Sequence, residues 1–133
     1  ESPDETTASA AIGRWREEVV RVFGVEAPLT PQGQHLKPLV SAFSLSRTPF
    51  DELVDGVEMD LRHKRYQTFD ELSGYCRRVA SAVGVMCIEV FGCRDSRSRE
   101  YAFNLGLALQ LTNIIRDVAS DAAECIPART HRR

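Results

Sequence analysis

Apolar residues recur every three or four positions along most of the chain, with charged residues between them. The first such stripe starts at Ala8, includes Trp15 and Val19, and ends at Phe23, next to Gly24. This spacing is typical of amphipathic helices, and a glycine directly after the stripe favours helix termination. Prolines and a glycine in residues 28–33 interrupt the pattern after the first stripe. In all, the pattern predicts five helices, over residues 8–23, about 36–43, 48 to about 63, 68 to about 91, and 96 to beyond 123.

Start and stop signals support the boundaries of the later helices. Thr48 precedes a proline and, three residues on, Asp51, an order in which threonine caps a helix and proline occupies its first turn. Thr68 stands three residues before Glu71, which repeats the capping-box pattern, and Gly92 is placed to end this fourth helix. No glycine or proline interrupts the fifth helix between residues 107 and 123, so we expect it to be the longest.

Strand signals are missing from the sequence, since no segment alternates convincingly between apolar and polar residues. We therefore predict a single all-α domain, which 133 residues with 43% hydrophobic content are enough to form. The formal net charge of −2 provides no basic excess for a phosphate backbone, so no nucleic-acid partner is predicted. Charged residues interrupt every apolar run before it reaches the roughly 18 residues that a membrane-spanning helix needs.

The fifth helix carries a row of polar side chains, Gln110, Asn113, Asp117 and Asp121. At about 100° per residue these four positions lie within about 80° of one another on one helix face. Asp117 and Asp121 are one turn apart, and like charges at that spacing repel each other unless something offsets the repulsion. Amide and carboxylate oxygens are hard ligands that suit Mg²⁺, which commonly bridges a few protein oxygens to substrate phosphates. The row therefore has the chemistry of a clamp for a diphosphate.

Two aspartates four residues apart are weak grounds for a metal site by themselves. Most such pairs lie on a solvated helix face, and short motifs have many false positives. The third helix illustrates this, because Asp51 and Asp55 have the same spacing but no amide side chain a turn before them. We assign that pair to solvent or to structural hydrogen bonds. The row on the fifth helix needs a wider context before a metal site is preferred over a solvated face.

Two longer stretches supply that context. Residues 75–84 read Y-C-R-R-V-A-S-A-V-G, and residues 107–121 read L-A-L-Q-L-T-N-I-I-R-D-V-A-S-D. Both strongly resemble the squalene/phytoene synthase family, and residues 50–61 and 65–69 are similar to the middle region of that family. The resemblance covers most of the chain from residue 15 to residue 121. It raises the clamp interpretation well above that of a solvated face.

The resemblance implies an all-helical class I prenyltransferase of isoprenoid biosynthesis, with Mg²⁺ held between two aspartate-rich helices. It also implies an enzyme that joins two prenyl diphosphates head to head through a cyclopropyl intermediate. On this basis Asn113, Asp117 and Asp121 would be the second metal-binding cluster, and Asp117, Asp121 and Tyr75 would be catalytic. Metal ions and positive side chains neutralise a departing diphosphate, so Arg116 is a candidate helper.

A carbocation formed in such a site must be kept from water, which requires an apolar tunnel. By resemblance, the substrate-binding residues are those that match tunnel or polar site positions of the family: Tyr75, Val79, Ala80, Val83, Gly84, Gly106, Leu109, Gln110 and Arg116. From their own pattern, the three aliphatic residues Val79, Val83 and Leu109 would be core in any helical bundle. The two glycines fit a close helix contact and room for a prenyl chain equally well. The tyrosine fits a half-buried aromatic as well as a ring that stabilises a cation.

The sequence also departs from the pattern of the family. The first aspartate-rich motif, D-D-x-x-D-E, is absent, and residues 122–133 do not match the basic G-R-x-Y-L-P segment that follows the second cluster. We therefore expect residues 1–121 to be the central part of a synthase domain and residues 122–133 to be a divergent, truncated or frame-shifted tail. A class I site takes metal ligands from two facing clusters, so we expect the isolated chain to lack turnover.

Two other interpretations stay open. One makes the chain a non-catalytic helical interaction module that binds a partner helix through exposed apolar stripes. The other makes it a different class I enzyme, such as a chain elongase or terpene cyclase, for which the L-T-N-x-x-R-D run would be unusual. The residues do not decide between farnesyl and geranylgeranyl substrates, or among presqualene diphosphate, squalene and phytoene as products. For a synthase we expect a cytoplasmic protein with peripheral membrane association for release of an apolar product, and the oligomeric state stays open.

Overall fold

The computed structural model describes residues 3–62, 66–93 and 95–124, which form helices joined by short connections. In chain order these are α1 (Pro3–Phe23), α2 (Pro31–Phe43), α3 (Thr48–Arg62), α4 (Phe69–Cys76), a π-helical segment (Arg77–Ser81), α5 (Ala82–Val90) and α6 (Ser96–Glu124). No strand occurs in this part of the chain. The predicted all-α class is confirmed, and the fifth predicted helix, α6, is the longest of the described helices.

α3 lies in the middle of the described helices. On one side α3 contacts α1, which also packs against α2, and on the other side it contacts α4, the π segment and α5. α6 packs against the same α4, π segment and α5. Across the described residues the helices therefore follow one another in space as α2, α1, α3, the continuous helix of residues 69–90, and α6.

Two helices begin earlier than the apolar pattern predicted. α1 starts at Pro3 rather than Ala8, because a proline followed by acidic residues suits a helix N-terminus although no apolar stripe marks it. α2 starts at Pro31 rather than near residue 36. The proline and glycine taken for helix breakers lie in its first turn, where the Thr30 side chain accepts a hydrogen bond from the backbone N–H of Gly33 at 3.0 Å.

The start and stop signals of the fourth predicted helix are confirmed, while the predicted cap of the third helix is wrong. Thr48 is the first residue of α3 and not its cap, and the carbonyl oxygen of Arg47 accepts the first hydrogen bond instead. Thr68 is the N-cap of α4, as predicted, and accepts a hydrogen bond from the backbone N–H of Glu71. Gly92 has a φ of +79°, the left-handed conformation that lets a glycine end a helix.

The fourth predicted helix contains a π-helical segment that the apolar pattern did not indicate. Residues 69–90 are continuously helical, but Arg77–Ser81 have the wider π turn between two regular α-helical parts. A π turn holds about one residue more than an α turn and often occurs at functional sites. The segment includes two of the predicted tunnel residues, Val79 and Ala80.

The buried apolar core is small. Its members are Ile12, Val19 and Val22 of α1 together with Cys76, Ala82 and Ala102. An apolar cavity of about 350 Å³ lies between α1, α2 and α3 and is lined by residues such as Val19, Leu36 and Leu53. None of the described helices is both long enough and apolar enough to cross a membrane.

Candidate functional site

The polar row of α6 is half-buried along its described part. Gln110, Asn113 and Asp117 are each intermediate in exposure, while Arg116 beside them is exposed. Asp121 belongs to α6 by its backbone, but its side chain lies outside the described part of the structure. The structure therefore presents three of the four predicted oxygen donors on one face of the helix, and the role of Asp121 stays a prediction.

Arg116 holds the Asp117 carboxylate in a two-pronged ion pair. Arg116 Nε donates to Asp117 Oδ1 at 2.7 Å, and Arg116 Nη2 donates to Asp117 Oδ2 at 2.9 Å. Hydrogen bonds from this guanidinium lower the pKa of Asp117 below its ordinary value, so the carboxylate is charged at neutral pH. Exposed ion pairs of this kind contribute little to stability.

Two close contacts set α6 antiparallel to the helix of residues 69–90. A Cβ built on Gly84 would lie 2.8 Å from the Ala102 carbonyl oxygen, and a Cβ built on Gly106 would lie 2.7 Å from Ser81 Cα. Each glycine is thus required by a close backbone approach. Both therefore have a packing reason, while their predicted contact with a prenyl chain stays a prediction.

The same register places Tyr75 at the level of the polar row along the bundle. Gly84 faces Ala102 and Ser81 faces Gly106, so three steps back along the first helix correspond to four steps forward along α6. Continued to Tyr75 at the end of α4, this register reaches the level of residues 112–114, next to Asn113. α4 and α6 are in contact, as this continuation requires. The fold therefore brings the predicted aromatic residue to the same end of the bundle as the predicted oxygen donors.

Tight packing surrounds the π segment. A Cβ on Gly56 of α3 would lie 2.7 Å from Val79 Cγ1, and a Cβ on Gly106 would lie 2.9 Å from the carbonyl carbon of Ala80. The fully buried Ser81 donates its hydroxyl hydrogen bond to the Phe103 carbonyl oxygen of α6 at 2.7 Å. Val79 and Ala80 are therefore wedged between α3 and α6, with glycines on both sides.

Two other predicted tunnel residues lie on the surface of the described chain. Val83 is 40% exposed and Leu109 is 56% exposed, so the described helices do not enclose a tunnel around them. The apolar cavity lies elsewhere, between α1, α2 and α3, and no predicted site residue lines it. These valine and leucine side chains provide an apolar surface next to the polar row rather than a closed channel.

Tyr75 is half-buried and has two partners that the sequence pattern did not indicate. Its ring stacks on the ring of Tyr66, with centroids 5.3 Å apart and an angle of 27° between the planes. Burial raises the pKa of Tyr75 to about 12, and the negative charge of the Asp60 carboxylate adds to that increase. Asp60 lies on α3 and Tyr66 precedes α4, whereas Tyr75 lies on α4. Because the three residues do not share one helix, helical spacing in the sequence could not predict their contact.

The second aspartate pair has the structural role assigned to it. Arg47 Nε donates to Asp51 Oδ2 at 2.9 Å, and Arg16 Nη1 lies 2.6 Å from Asp55 Oδ1. Both carboxylates thus hold arginines, one within the start of α3 and one between α1 and α3. The prediction of structural hydrogen bonds for this pair is confirmed.

The donor set of α6 fits Mg²⁺ in chemistry. Asn113 and Asp117 offer an amide and a carboxylate oxygen from consecutive turns, and Mg²⁺ accepts a few such ligands while keeping several waters. Among the described side chains no three or more histidines, cysteines, aspartates or glutamates gather into a metal site of their own. On this chemistry, Asn113 and Asp117 would fill part of the coordination shell of Mg²⁺.

Comparisons with known proteins identify the family. The family model for squalene/phytoene synthase matches residues 1–129. The chain belongs to the squalene/phytoene synthase family. Its curated relatives include a phytoene synthase of Arthrospira platensis, 38% identical over 130 residues, and a presqualene diphosphate synthase of Sinorhizobium fredii, 41% identical over 114 residues. These alignments cover 88% and 85% of this chain but 42% and 40% of the two relatives.

A solved structure agrees with the family assignment. The crystal structure of squalene synthase HpnC from Alicyclobacillus acidocaldarius superposes with a TM-score of 0.80 at 32% identity. It covers 86% of this chain and 43% of the other. The chain therefore has the fold of a squalene/phytoene synthase over about two fifths of the length of such a protein. The domain boundary predicted at residue 121 stays a prediction, and residues 125–133 lie outside the described residues.

Proposed function

We propose that this chain is the part of a head-to-head prenyl synthase that carries the second oxygen-donor cluster and the cation-facing tyrosine. The observation that carries the proposal is the half-buried row of Gln110, Asn113 and Asp117 at the level of Tyr75. Family membership supports it, because relatives named phytoene synthase and presqualene diphosphate synthase align over more than four fifths of the chain. The substrates would be two prenyl diphosphates, farnesyl or geranylgeranyl. The products would be presqualene diphosphate, squalene or phytoene.

Each residue of the site has a defined task in this proposal. Asn113 and Asp117, with Asp121 as a further candidate, would supply oxygen ligands to Mg²⁺. Bound Mg²⁺ would supply Lewis-acid charge neutralisation for a departing diphosphate. Arg116, once Asp117 turns to the metal, has its guanidinium available for the diphosphate oxygens, which it can contact with two parallel hydrogen bonds.

The apolar part of the site would protect the cation. Val83 and Leu109 provide exposed apolar surface for a prenyl chain beside the polar row. Tyr75 offers a neutral aromatic ring, since a pKa of about 12 keeps its hydroxyl protonated at physiological pH. A ring of this kind stabilises a nearby cation through the negative charge of its π face.

The decisive experiment measures Mg²⁺-dependent binding of farnesyl thiodiphosphate, an unreactive sulfur analogue, by titration calorimetry. We expect binding with Mg²⁺, none after chelation, and weakening by about tenfold or more in Asp117→Asn, which loses a charged ligand. Asp51→Asn is the matched control, because it removes another arginine-paired aspartate, and it should bind like wild type.

Two results would contradict the proposal. Binding that persists without Mg²⁺ and in Asp117→Asn would favour the non-catalytic interaction module. Formation of a head-to-head product by the 133 residues alone would contradict the expectation that turnover needs ligands from a second cluster. We also propose a cytoplasmic location with peripheral membrane contact, because the substrate would be charged and the product apolar.

A further inference from the structure

Tyr75 is contacted from two segments that the proposed function does not otherwise use. The connection before α4 contributes Tyr66, whose ring stacks on that of Tyr75 with a centroid distance of 5.3 Å. α3 contributes Asp60, whose negative charge raises the pKa of the Tyr75 hydroxyl further. The Tyr66 ring covers one face of Tyr75, and the carboxylate acts on the hydroxyl end of the same side chain.

Other residues of α4 are more deeply buried than Tyr75. Ser73 and Cys76 of the same helix are buried, with 6% and 0% of their surface exposed, and they anchor α4 against its neighbours. Tyr75 is only half-buried beside them. A tyrosine in that position could turn toward solvent, and stacking of one ring face on Tyr66 opposes that turn.

We propose that Asp60 and Tyr66 are positioning residues that hold the Tyr75 ring with one face covered and the other turned toward the reacting cation. This inference rests on the proposed function for its purpose, although the positioning itself does not. A carboxylate beside a phenol disfavours its ionisation and adds negative charge near the ring. The arrangement would therefore both orient the ring and strengthen the attraction of this place for an allylic cation.

The first test follows Tyr75 directly, without any substrate. The full chain is labelled with ¹³C at tyrosine Cζ, and the signals of its three tyrosines are assigned with Tyr66→Phe and Tyr101→Phe. We expect Asp60→Asn to lower the pH at which Tyr75 ionises by about 1 pH unit, because it removes a like charge from beside the phenolate. Tyr66→Leu should change the Tyr75 ring-proton shifts, because it removes the ring current of the stacked partner. Glu52→Gln, an exposed carboxylate change on the same helix, should change neither.

The second test asks what the positioning is for. Farnesylamine, whose protonated nitrogen imitates the cation, is titrated with Mg²⁺ and inorganic pyrophosphate, and farnesyl thiodiphosphate serves as the uncharged-tail control. We expect Asp60→Asn and Tyr66→Leu to weaken farnesylamine binding by about tenfold and to leave the thiodiphosphate unchanged. A loss confined to the cationic probe is not expected from a merely structural role.

The outcomes separate the two proposals. Unchanged Tyr75 signals in both variants would overturn the positioning of the ring, and equal losses for both probes would overturn its link to the cation. A wild-type chain that binds neither probe would contradict the proposed function, while the ¹³C signals would still decide whether Asp60 and Tyr66 position Tyr75.

Discussion

The two halves of the molecule hold their helices together by different means. In the first half, polar side chains join helix ends. The buried Glu18 accepts hydrogen bonds from the backbone N–H groups of Leu29 and Thr30, and the half-buried Lys37 donates from its ammonium to the carbonyl oxygens of Arg21, Gly24 and Glu26. In the second half, the buried Glu89 likewise accepts hydrogen bonds from Ser46 and Arg99, but α6 meets the π segment through small residues whose backbones approach directly, as at Gly106 and Ser81.

This difference concerns the role of polar side chains in helix packing. The first half uses the buried Glu18 and the half-buried Lys37 to satisfy helix ends, which is the ordinary role of such polar groups. The contacts between α6 and the π segment instead depend on glycine, alanine and serine. The half-buried polar row of α6 takes no part in these glycine, alanine and serine contacts.

The largest loss of stability is expected from Gly106→Ala, which tests whether close backbone contact holds α6. The added Cβ would lie 2.7 Å from Ser81 Cα and 2.8 Å from Ser81 N, both backbone atoms that cannot move aside singly. We expect the free energy of unfolding to fall by about 1–3 kcal/mol, measured by urea unfolding followed by circular dichroism. Wild-type stability in this variant would show that close backbone contact does not hold α6.

A pH-dependent effect is expected from Glu18, which is 3% exposed. Hydrogen bonds from the Thr30 side chain and from the backbone of Leu29 and Thr30 lower its pKa from the usual 4.5. Because the folded-state pKa is lowered, this carboxylate stabilises the fold above about pH 4.5, and its contribution is lost as the pH falls through the folded-state value.

The variant Glu18→Gln tests that contribution. We expect it to be less stable than wild type at pH 7 and to approach wild type as both are acidified, in thermal unfolding measured between pH 3 and 7. The neighbouring exposed Glu17→Gln is the control and should follow the wild-type profile. A constant difference between Glu18→Gln and wild type at every pH would contradict a role for the ionised form.

The smallest effect is expected from Gly13→Ala on α1. Nothing lies within 4 Å of a Cβ built at this position, in contrast to Gly106. An alanine in mid-helix restricts the unfolded chain and favours the helix, so we expect stabilisation by about 0.5–1 kcal/mol in the same urea experiment. A loss of stability would mean that the two glycines do not differ in the way described.

The sequence predicts the helices well because their signals are local. Apolar spacing, the Thr68 cap and the Gly92 terminator act within a turn or two and are found where predicted. The early start of α2 was missed because Pro31 and Gly33 break helices in mid-chain but suit a first turn. The π segment was missed because no residue type marks it.

The candidate site was predictable only where its residues share one helix or match a family motif. The row of Gln110, Asn113 and Asp117 follows from helical geometry, and Tyr75 from the resemblance. Asp60 and Tyr66 reach Tyr75 through tertiary packing, which no spacing rule encodes. The exposure of Leu109 likewise depends on which helices lie opposite it, so sequence alone could not separate a core residue from a surface one.

The π turn at Arg77–Ser81 gives this region a specific tolerance for losing one residue. Removing one residue there would restore regular helical winding, and because the π turn and the α turn each complete one turn, the residues that follow would stay on the same face relative to α4. Ala102 would then still meet Gly84, and the backbone approach at that glycine would be kept. We therefore expect homologous sequences to differ by at most one residue in the number of residues between the tyrosine and this glycine, even where the side chains between them vary.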